Sequence, residues 1–279
     1  MPHCISPAAE KILDKPVKVL DKGFVRLVDY MGGDERIVAA ARVSYGTGTK
    51  TFREDRGLIH YLLRNDHTSP FEQVVFTFHA KMPIFVARQW IRHRTARVNE
   101  ISGRYSVLRD EFYVPAAADI AYQSTDNKQG RSPEAVPAKL RRKVLAILKK
   151  GCARTYADYR AMLGDNVARE LARISLPLSL YTEWYWQIDL NNLFHFLRLR
   201  LDPHAQMEIR VYAEAIHCLA RTVCPLAFEA FDEHLAGSVR LSRAELAAVK
   251  AMLAGKAVVS LDERGRKRLS AKLGAELPS

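Results

Sequence analysis

The pattern of apolar and polar positions predicts a mixture of strands and helices. Residues 23–30 and 74–80 alternate between apolar and polar side chains, which is the period of a strand. The aromatic-rich segment 181–188 is a third predicted strand. Helical spacing predicts helices over 34–43, 52–65, 138–163, 167–174, 192–201, 202–222 and 228–235, and one more that begins at Pro83.

Two of these helices carry clear boundary signals. The longest, 138–163, ends before Gly164, a residue typical of a helix stop. Its apolar stripe predicts a buried face made of Leu140, Val144, Ile147, Leu148, Cys152, Tyr156 and Tyr159. Asp202 and Pro203 are a good N-cap and first-turn pair, so the pattern predicts that a helix begins there and runs to about Thr222. Residues 117–137 are polar and predict a long loop.

The composition changes after Gly237. Residues 237–279 carry nine Lys or Arg against four acids. Ser242 with Glu245, and Ser260 with Glu263, have the spacing of a capping box, so each pair predicts the start of a helix. We therefore divide the chain into a catalytic domain, residues 1–236, and a C-terminal helical extension, residues 237–279.

Composition and charge narrow the class of protein. The 279 residues are 48% hydrophobic, which supports a sizeable core, and the net charge of +12 favours anionic partners. No apolar run reaches the ~18–20 residues of a membrane span, and no apolar segment typical of a signal peptide follows Met1. The four cysteines lack CxxC spacing and indicate reduced thiols. A cytoplasmic protein without a membrane partner is expected.

The densest charge follows the helix that begins at Pro83. Arginines stand at 88, 92, 94, 97 and 104, and no acid lies between Glu72 and Glu100. Helical spacing places Arg88, Gln89 and Arg92 on one face. Ser102 and Gly103 predict a tight bend where backbone N–H groups can approach a ligand. Guanidinium groups and exposed amides suit a phosphate or diphosphate. A solvated basic face is the alternative, but the apolar neighbours favour a site.

Several common catalytic motifs are absent from the sequence. It contains no GxxxxGK[ST], no GxGxxG and no HExxH, and no Ser or Cys stands in a recognisable nucleophile motif. No metal site is predicted, although nine histidines leave a nonstandard site open.

The segment Arg92-His93-Arg94, followed by seven residues and Ser102, resembles the signature of the flavin-dependent thymidylate synthases. Three further family-like segments occur in the expected order, and the resemblance spans roughly residues 20–235. These segments are 67–72, 172–178, and 194–200 with 204–206.

The resemblance implies a fold, an assembly and an activity. The fold is α+β, with a mainly antiparallel sheet surrounded by helices, and the assembly is a homotetramer with sites at subunit interfaces. The activity is the reductive methylation of dUMP to dTMP. It uses 5,10-methylenetetrahydrofolate as carbon donor, NADPH as reductant and FAD as redox cofactor.

The resemblance also implies roles for particular residues. Arg200 would lie against the uracil ring and favour its ionised form. The residues that would hold dUMP are Gln89, Trp90, Ile91, Arg92, Glu100, Ile101, Ser102, Gly103, Arg104, Arg173 and Arg200. Those that would contact FAD are Ser69, Arg92, His93, Arg94, Glu100, Asp189, Leu190, Asn191 and His195.

Some assignments have structural alternatives. Arg200 leaves a largely apolar helix, so an acid such as Asp202 or Glu208 is the alternative partner for its charge. A purely structural role is an equal alternative for His195 and for His204.

Two other functions compete with the synthase. A nucleic-acid-binding module would also be basic with interleaved aromatic residues, but it would bind no flavin. Within enzymes, the runner-up is an FAD- or folate-dependent methyltransferase that acts on uracil in RNA. The favoured hypothesis predicts no nucleic-acid partner.

Overall fold

The computed structural model describes residues 4–43, 52–125, 128–256 and 261–277, and within 52–54 it describes the backbone only. The chain forms two compact units, Met1–Phe231 and Asp232–Ser279. The division at residues 236 and 237 into a catalytic domain and an extension stays a prediction. No helix in the described part of the chain is long and apolar enough to cross a membrane.

A five-stranded antiparallel sheet forms the centre of the first unit. Its spatial order is β1-β2-β3-β5-β4. The strands are β1 Val17–Val19, β2 Gly23–Met31, β3 Val75–Pro83, β4 Arg97–Glu100 and β5 Tyr181–Asp189. The three predicted strands are confirmed as β2, β3 and β5, and they lie side by side.

Helices surround this sheet, so the predicted α+β class is confirmed. Helices α4, α7 and α8 pack against its strands. The helices of the first unit are α1 Pro7–Glu10, α2 Asp34–Arg42, α3 Phe52–Arg64, α4 Ile84–Trp90, α5 Ala138–Gly164, α6 Arg169–Ala172, α7 Leu190–Arg200, α8 Met207–Arg221 and α9 Pro225–Phe231.

Aromatic side chains fill the core under the sheet. Strand β5 alternates so that Trp184 and Trp186 are fully buried while Tyr185 between them is exposed. Trp90 from α4 packs edge-on against both tryptophans, at ring-centroid distances of 5.4 and 5.1 Å. Phe196 from α7 stacks on Trp90 at 5.3 Å. This cluster fixes α4 and α7 next to each other on one face of the sheet.

Two local predictions are wrong, and one strand was not predicted. Helix α4 ends at Trp90, so Arg92 lies beyond it and not on one helical face with Arg88. Strand β4 was not predicted because all four of its residues are exposed and show no burial pattern. Helix α8 begins at Met207 rather than at Asp202. The Asp202 carboxylate instead accepts a hydrogen bond from the His204 N–H at 2.8 Å and closes a turn.

The long helix α5 is confirmed, but only two of the seven residues of its apolar stripe are buried. Cys152 and Tyr159 are buried, and Tyr156 packs against their cluster. Ile147 and Leu148, one to two turns earlier, are 59% and 38% exposed. This helix therefore presents an apolar surface that the chain itself does not cover.

The second unit begins with a short π-helix, Asp232–Ala236. Two further helices, α10 Arg243–Leu253 and α11 Glu263–Leu273, pack around a small core of Ala248 and Leu269. Both hydrogen bonds of the predicted capping box are present. The Ser242 side chain accepts from the Glu245 N–H, and the Glu245 side chain accepts from the Ser242 N–H. The second predicted box differs, because the N-cap of α11 is Asp262, which accepts from the Gly265 N–H. Ser260 lies outside the described residues.

Candidate functional site

An open cleft of about 520 Å³ lies between the segment that follows α4 and one face of α7. We call it the Arg200 cleft. Its lining residues are Arg92, His93, Arg94, Thr95, Ile188, Asn191, Asn192, His195, Leu199 and Arg200. It thus brings together six of the predicted site residues from segments about 100 positions apart.

The sequence of α7 determines which side chains face the cleft. Asp189 caps the helix, since its carboxylate accepts from the Asn192 backbone N–H at 2.9 Å and from the Asn192 amide at 2.8 Å. The next residue, Leu190, is fully buried. With the buried stripe set toward the core, the opposite stripe of Asn191, His195 and Leu199 faces the cleft at intervals of four residues.

Arg200 is held by neutral groups. Its Nε donates to His93 Nε2 at 3.1 Å, and its Nη2 donates to the Gln89 carbonyl oxygen at 3.3 Å. Partial burial lowers the pKa of Arg200 from its ordinary value. Hydrogen bonds to backbone and imidazole fix the guanidinium without neutralising it.

Neither acid that could have paired with Arg200 does so. Asp202 binds His204, and Glu208 binds Arg131. None of the ion pairs in the described part of the chain involves Arg200. A partly buried guanidinium with polar partners but no acid beside it is further stabilised by an anionic partner, which a ligand can supply.

His93 is neutral at physiological pH. Partial burial, then the charge of Arg200 and then His195 lower its pKa to about 4. Because arginine can only donate, Nε2 of His93 is the acceptor and the ring proton resides on Nδ1. The ring also packs edge-on against Phe196 at 4.9 Å. His93 therefore orients Arg200 with one nitrogen and offers a donor with the other.

The Arg200 cleft is suited to anions. Three guanidinium groups line it, from Arg92, Arg94 and Arg200, and none of its described lining residues is acidic. Asn191 and Asn192 add amide groups that can donate and accept. The donor set fits phosphates and a heteroaromatic ring with carbonyl oxygens.

A second group of predicted residues lies in the loop that follows β4. The Ile101 N–H donates to the Glu183 carbonyl at 2.9 Å, and the turn at Ser102 and Gly103 is confirmed. Gly103 lies close to two side chains, because a Cβ there would be 2.9 Å from Leu108 Cδ1 and 3.1 Å from Arg173 Cδ. Arg173 thus packs on the loop, while Arg104 forms an exposed ion pair with Glu170 at 3.3 Å.

Within one chain, the two groups lie beside different parts of β5. The Arg200 cleft includes Ile188 near the end of β5, whereas the loop is bonded to Glu183 five residues earlier. At ~3.4 Å per residue this is a separation of about 17 Å along the strand. The residues expected to hold one nucleotide therefore lie in two separate places within a single chain.

The remaining predicted residues have other positions. Trp90 is fully buried in the aromatic core, so its side chain cannot contact a ligand. Glu100 accepts a hydrogen bond from the Thr182 hydroxyl. Ser69 lies in the turn before a short 3-10 helix, and its backbone carbonyl accepts from the Glu72 N–H at 3.2 Å. Ile91 and Ile101 are 47% and 45% exposed.

The cleft also contains residues that the sequence analysis missed. Thr95, Ile188, Asn192 and Leu199 line it. Leu199 could have been found, because it stands four residues after His195 on the same helix face. Nothing in the sequence indicated that Ile188 lines the cleft, since an apolar residue in a strand predicts only burial.

Comparisons with known proteins agree on one family. Residues 26–226 match the family model of the thymidylate synthase complementing protein. A flavin-dependent thymidylate synthase from Treponema denticola is 67% identical over 244 residues, which cover 88% of this chain and 92% of that protein. The enzyme of the same name from Thermus thermophilus is 60% identical over 237 residues, 85% of this chain and 86% of its own.

Solved structures extend this agreement to the fold. The UMP/dUMP methylase PolB from Streptomyces cacaoi, in a crystal structure with 5-Br dUMP, aligns with a TM-score of 0.71 and 31% identity. The alignment covers 79% of this chain and 99% of that one. Sequence and fold together place the chain, as an enzyme, in the flavin-dependent thymidylate synthase family.

Proposed function

We propose that this enzyme methylates dUMP to dTMP with FAD as cofactor, 5,10-methylenetetrahydrofolate as carbon donor and NADPH as reductant. The observation that carries the proposal is Arg200, a partly buried guanidinium that binds no acid among the described residues. It is held by His93 and the Gln89 carbonyl in a cleft whose described lining contains no acid. The dUMP-binding relatives of known structure support the choice of nucleotide.

Arg200 acts on the uracil ring. A fixed guanidinium beside a pyrimidine oxygen stabilises negative charge on the ring, which makes C5 more nucleophilic. A bond forms between uracil C5 and the methylene carbon, and the C5 hydrogen leaves as a proton. The bonds from that carbon to the folate nitrogens break to give tetrahydrofolate, and a hydride equivalent from NADPH reduces the methylene to the methyl group. Bound FAD supplies the redox chemistry that connects the reductant with this transfer. The chain contributes orientation and electrostatics.

The donors of the Arg200 cleft fit a flavin. Arg94 and Asn191 lie where a diphosphate or ring carbonyl can accept their N–H groups. His93 Nδ1–H is a further donor, since its Nε2 is occupied by Arg200. No thiol is needed in this scheme, because the flavin route does not require a cysteine to attack uracil.

One nucleotide site uses residues from two copies. The Arg200 cleft and the loop of Ser102–Arg104 with Arg173 are about 17 Å apart along β5. Large apolar side chains near this loop are exposed, including Tyr105 at 77% and Ile174 at 74%. A homotetramer that buries this surface brings the loop of one copy to the cleft of another.

UMP is a second candidate substrate. The structural relative PolB is a UMP/dUMP methylase and was also crystallised with 5-Br UMP, aligning at a TM-score of 0.71 and 32% identity. The two candidates differ only in the 2′-hydroxyl, so the reaction must be measured with both nucleotides.

The test is a reconstituted reaction in which the product is identified by mass spectrometry. We expect dTMP only when dUMP, the folate, NADPH and FAD are all present, and we expect denatured protein to release the flavin. Arg200→Ala should lower the rate about 100-fold or more, because it removes charge stabilisation at the ring. Arg198→Ala, on the same helix but outside the cleft lining, is the matched control. Methylation that proceeds without flavin would refute the proposal.

A further inference from the structure

Two neighbouring residues of β5 hold the end of β4 and the start of the loop that follows it. The Glu183 carbonyl accepts from the Ile101 N–H at 2.9 Å. The Thr182 hydroxyl is hydrogen-bonded to Glu100 Oε1, and because a carboxylate can only accept, the hydroxyl is the donor. Strand β5 therefore fixes Glu100 by its side chain and Ile101 by its backbone.

Thr182 is a polar residue on the buried face of β5. Its side chain lies on the same face of the strand as Trp184 and Trp186, and only 5% of the residue is exposed. A hydroxyl in such surroundings is costly unless it is hydrogen-bonded. Among the described residues its one hydrogen-bond partner is Glu100. Valine has nearly the same shape and suits a strand equally well, so packing alone does not explain a threonine here.

Glu100 is an acid in a basic stretch of the chain. It is the only acid between Glu72 and Asp110, and arginines stand on either side of it at 97 and 104. None of the ion pairs among the described residues includes Glu100. Its Oε1 accepts from Thr182, and its Oε2 has no hydrogen-bond partner in the described ranges of the chain. One oxygen is thus fixed, and the other remains available to a ligand.

The chemistry of a carboxylate selects the group that this oxygen can bind. In the proposed site the loop of Ser102–Arg104 and Arg173 supply amides and cations for the phosphate of the nucleotide. A carboxylate repels a phosphate, so Glu100, two residues before Ser102, must face a hydrogen-bond donor. The donors of dUMP are the sugar 3′-hydroxyl and the ring N3–H. Since the ring lies against Arg200 and the sugar joins ring and phosphate, the 3′-hydroxyl is the donor nearest this loop.

We propose that Thr182 is a positioning residue of the nucleotide site, which holds the Glu100 carboxylate so that its second oxygen accepts from the 3′-hydroxyl of the nucleotide. The inference rests on the proposed function for the identity of the nucleotide. An exposed carboxylate loses rotational freedom when it binds a ligand, and the bond to Thr182 removes that freedom beforehand. The hydroxyl thereby raises affinity without touching the nucleotide.

The test is calorimetric binding of two nucleotides to the full chain saturated with FAD. One is dUMP, and the other is 2′,3′-dideoxyuridine 5′-monophosphate, which lacks the 3′-hydroxyl. We expect the wild type to bind dUMP about tenfold more tightly than this analogue, the effect of one hydrogen bond to a charged group. Thr182→Val should weaken dUMP binding about fivefold and leave binding of the analogue unchanged. Thr182→Ser keeps the hydroxyl and should restore the preference for dUMP.

A double-mutant cycle shows whether Thr182 acts through Glu100. In the background of Glu100→Ala, the change Thr182→Val should have no further effect on dUMP binding. Thr77→Val is the matched control, because it removes a hydroxyl from the neighbouring strand β3 of the same sheet. The Thr77 hydroxyl accepts from the Gln187 amide at 3.2 Å, away from the residues proposed to hold the nucleotide. This control should bind both nucleotides like the wild type.

The outcomes separate this inference from the proposed function. The inference is overturned by a Thr182→Val protein that keeps the tenfold preference or binds both nucleotides equally more weakly, and by additive effects in the cycle. Should Thr182→Val fail to fold, Glu100→Ala decides alone, since a preference for dUMP that survives this change also overturns it. Protein that shows the expected pattern but makes no dTMP would refute the proposed function and leave the role of Thr182 in nucleotide binding standing.

Discussion

The coupling between Arg200 and His93 gives a quantitative prediction for the variant Arg200→Met. Burial, Arg200 and His195 together lower the pKa of His93 from 6.5 to about 4. Methionine keeps the apolar bulk of the side chain but removes its charge and its hydrogen bond to Nε2. Since burial is the larger cause, we expect only a partial recovery, an increase in the His93 pKa of about one.

The same coupling affects stability. A histidine whose pKa is lower in the folded state contributes stability above pH 6.5, and this stability is lost as the pH falls from 6.5 through about 4. The full difference corresponds to ~3 kcal/mol at 1.36 kcal/mol per pKa unit. Solvent screens a partly exposed ring, so we expect about 1–2 kcal/mol in the wild type. The stability lost between pH 6.5 and about 4 should be smaller in Arg200→Met than in the wild type.

The assay is NMR titration of the histidine Cε1–H resonances, with His93 assigned from the spectrum of His93→Gln. Urea unfolding at pH 7 and near pH 4 gives the free energies. Arg198→Met, a change on the same helix outside the cleft lining, should leave the His93 pKa at the wild-type value. A wild-type His93 that titrates near 6.5, or a His93 pKa unaffected by Arg200→Met, would refute the reasoning.

Three further predictions concern the site and the extension. Arg200→Lys keeps the charge but not the planar fork, so its dTMP formation should fall between that of the wild type and Arg200→Ala, while absorbance titration still shows FAD binding. The four single variants, Cys→Ala at Cys4, Cys152, Cys218 and Cys224, should all retain activity. None of these cysteines lines the Arg200 cleft, and burial raises the pKa of Cys224. A folded, FAD-bound variant without turnover would contradict this prediction. A chain ending at Gly237 should keep FAD binding and dTMP formation, because unit Met1–Phe231 is compact by itself; a folded truncation lacking both would show that the extension builds the site.

Regular elements with strong patterns were predictable from the sequence. The spacing of apolar residues gave α5, and its stop at Gly164 was correct, because amphipathic periodicity and a terminal glycine are local signals. The capping box at Ser242 was correct for the same reason. The start of α8 was not, because a side chain that suits an N-cap also suits a turn, and Asp202 binds the His204 N–H in a turn.

The geometry of the site was only partly predictable. The family resemblance implied that Arg200, His93 and His195 belong to one site, and the Arg200 cleft contains all three. The sequence could not show that His93, not Asp202 or Glu208, binds Arg200, because that contact depends on how α4 and α7 pack around Trp90 and Phe196. Nor could it show where the Ser102 loop lies, since that position follows from the register of β4 on β5.

The central structural claim is that one nucleotide site combines the Arg200 cleft of one copy with the Ser102–Arg104 loop and Arg173 of another. Subunit complementation tests it directly. Arg200→Ala and Arg173→Ala are each prepared alone, and the two chains are also co-expressed in equal amounts. If the arginines of one site come from different copies, random mixing restores both in about a quarter of the sites, and dTMP formation recovers to about a quarter of the wild-type rate. If both arginines come from the same chain, the mixture stays as inactive as the two single variants, and the claim is wrong.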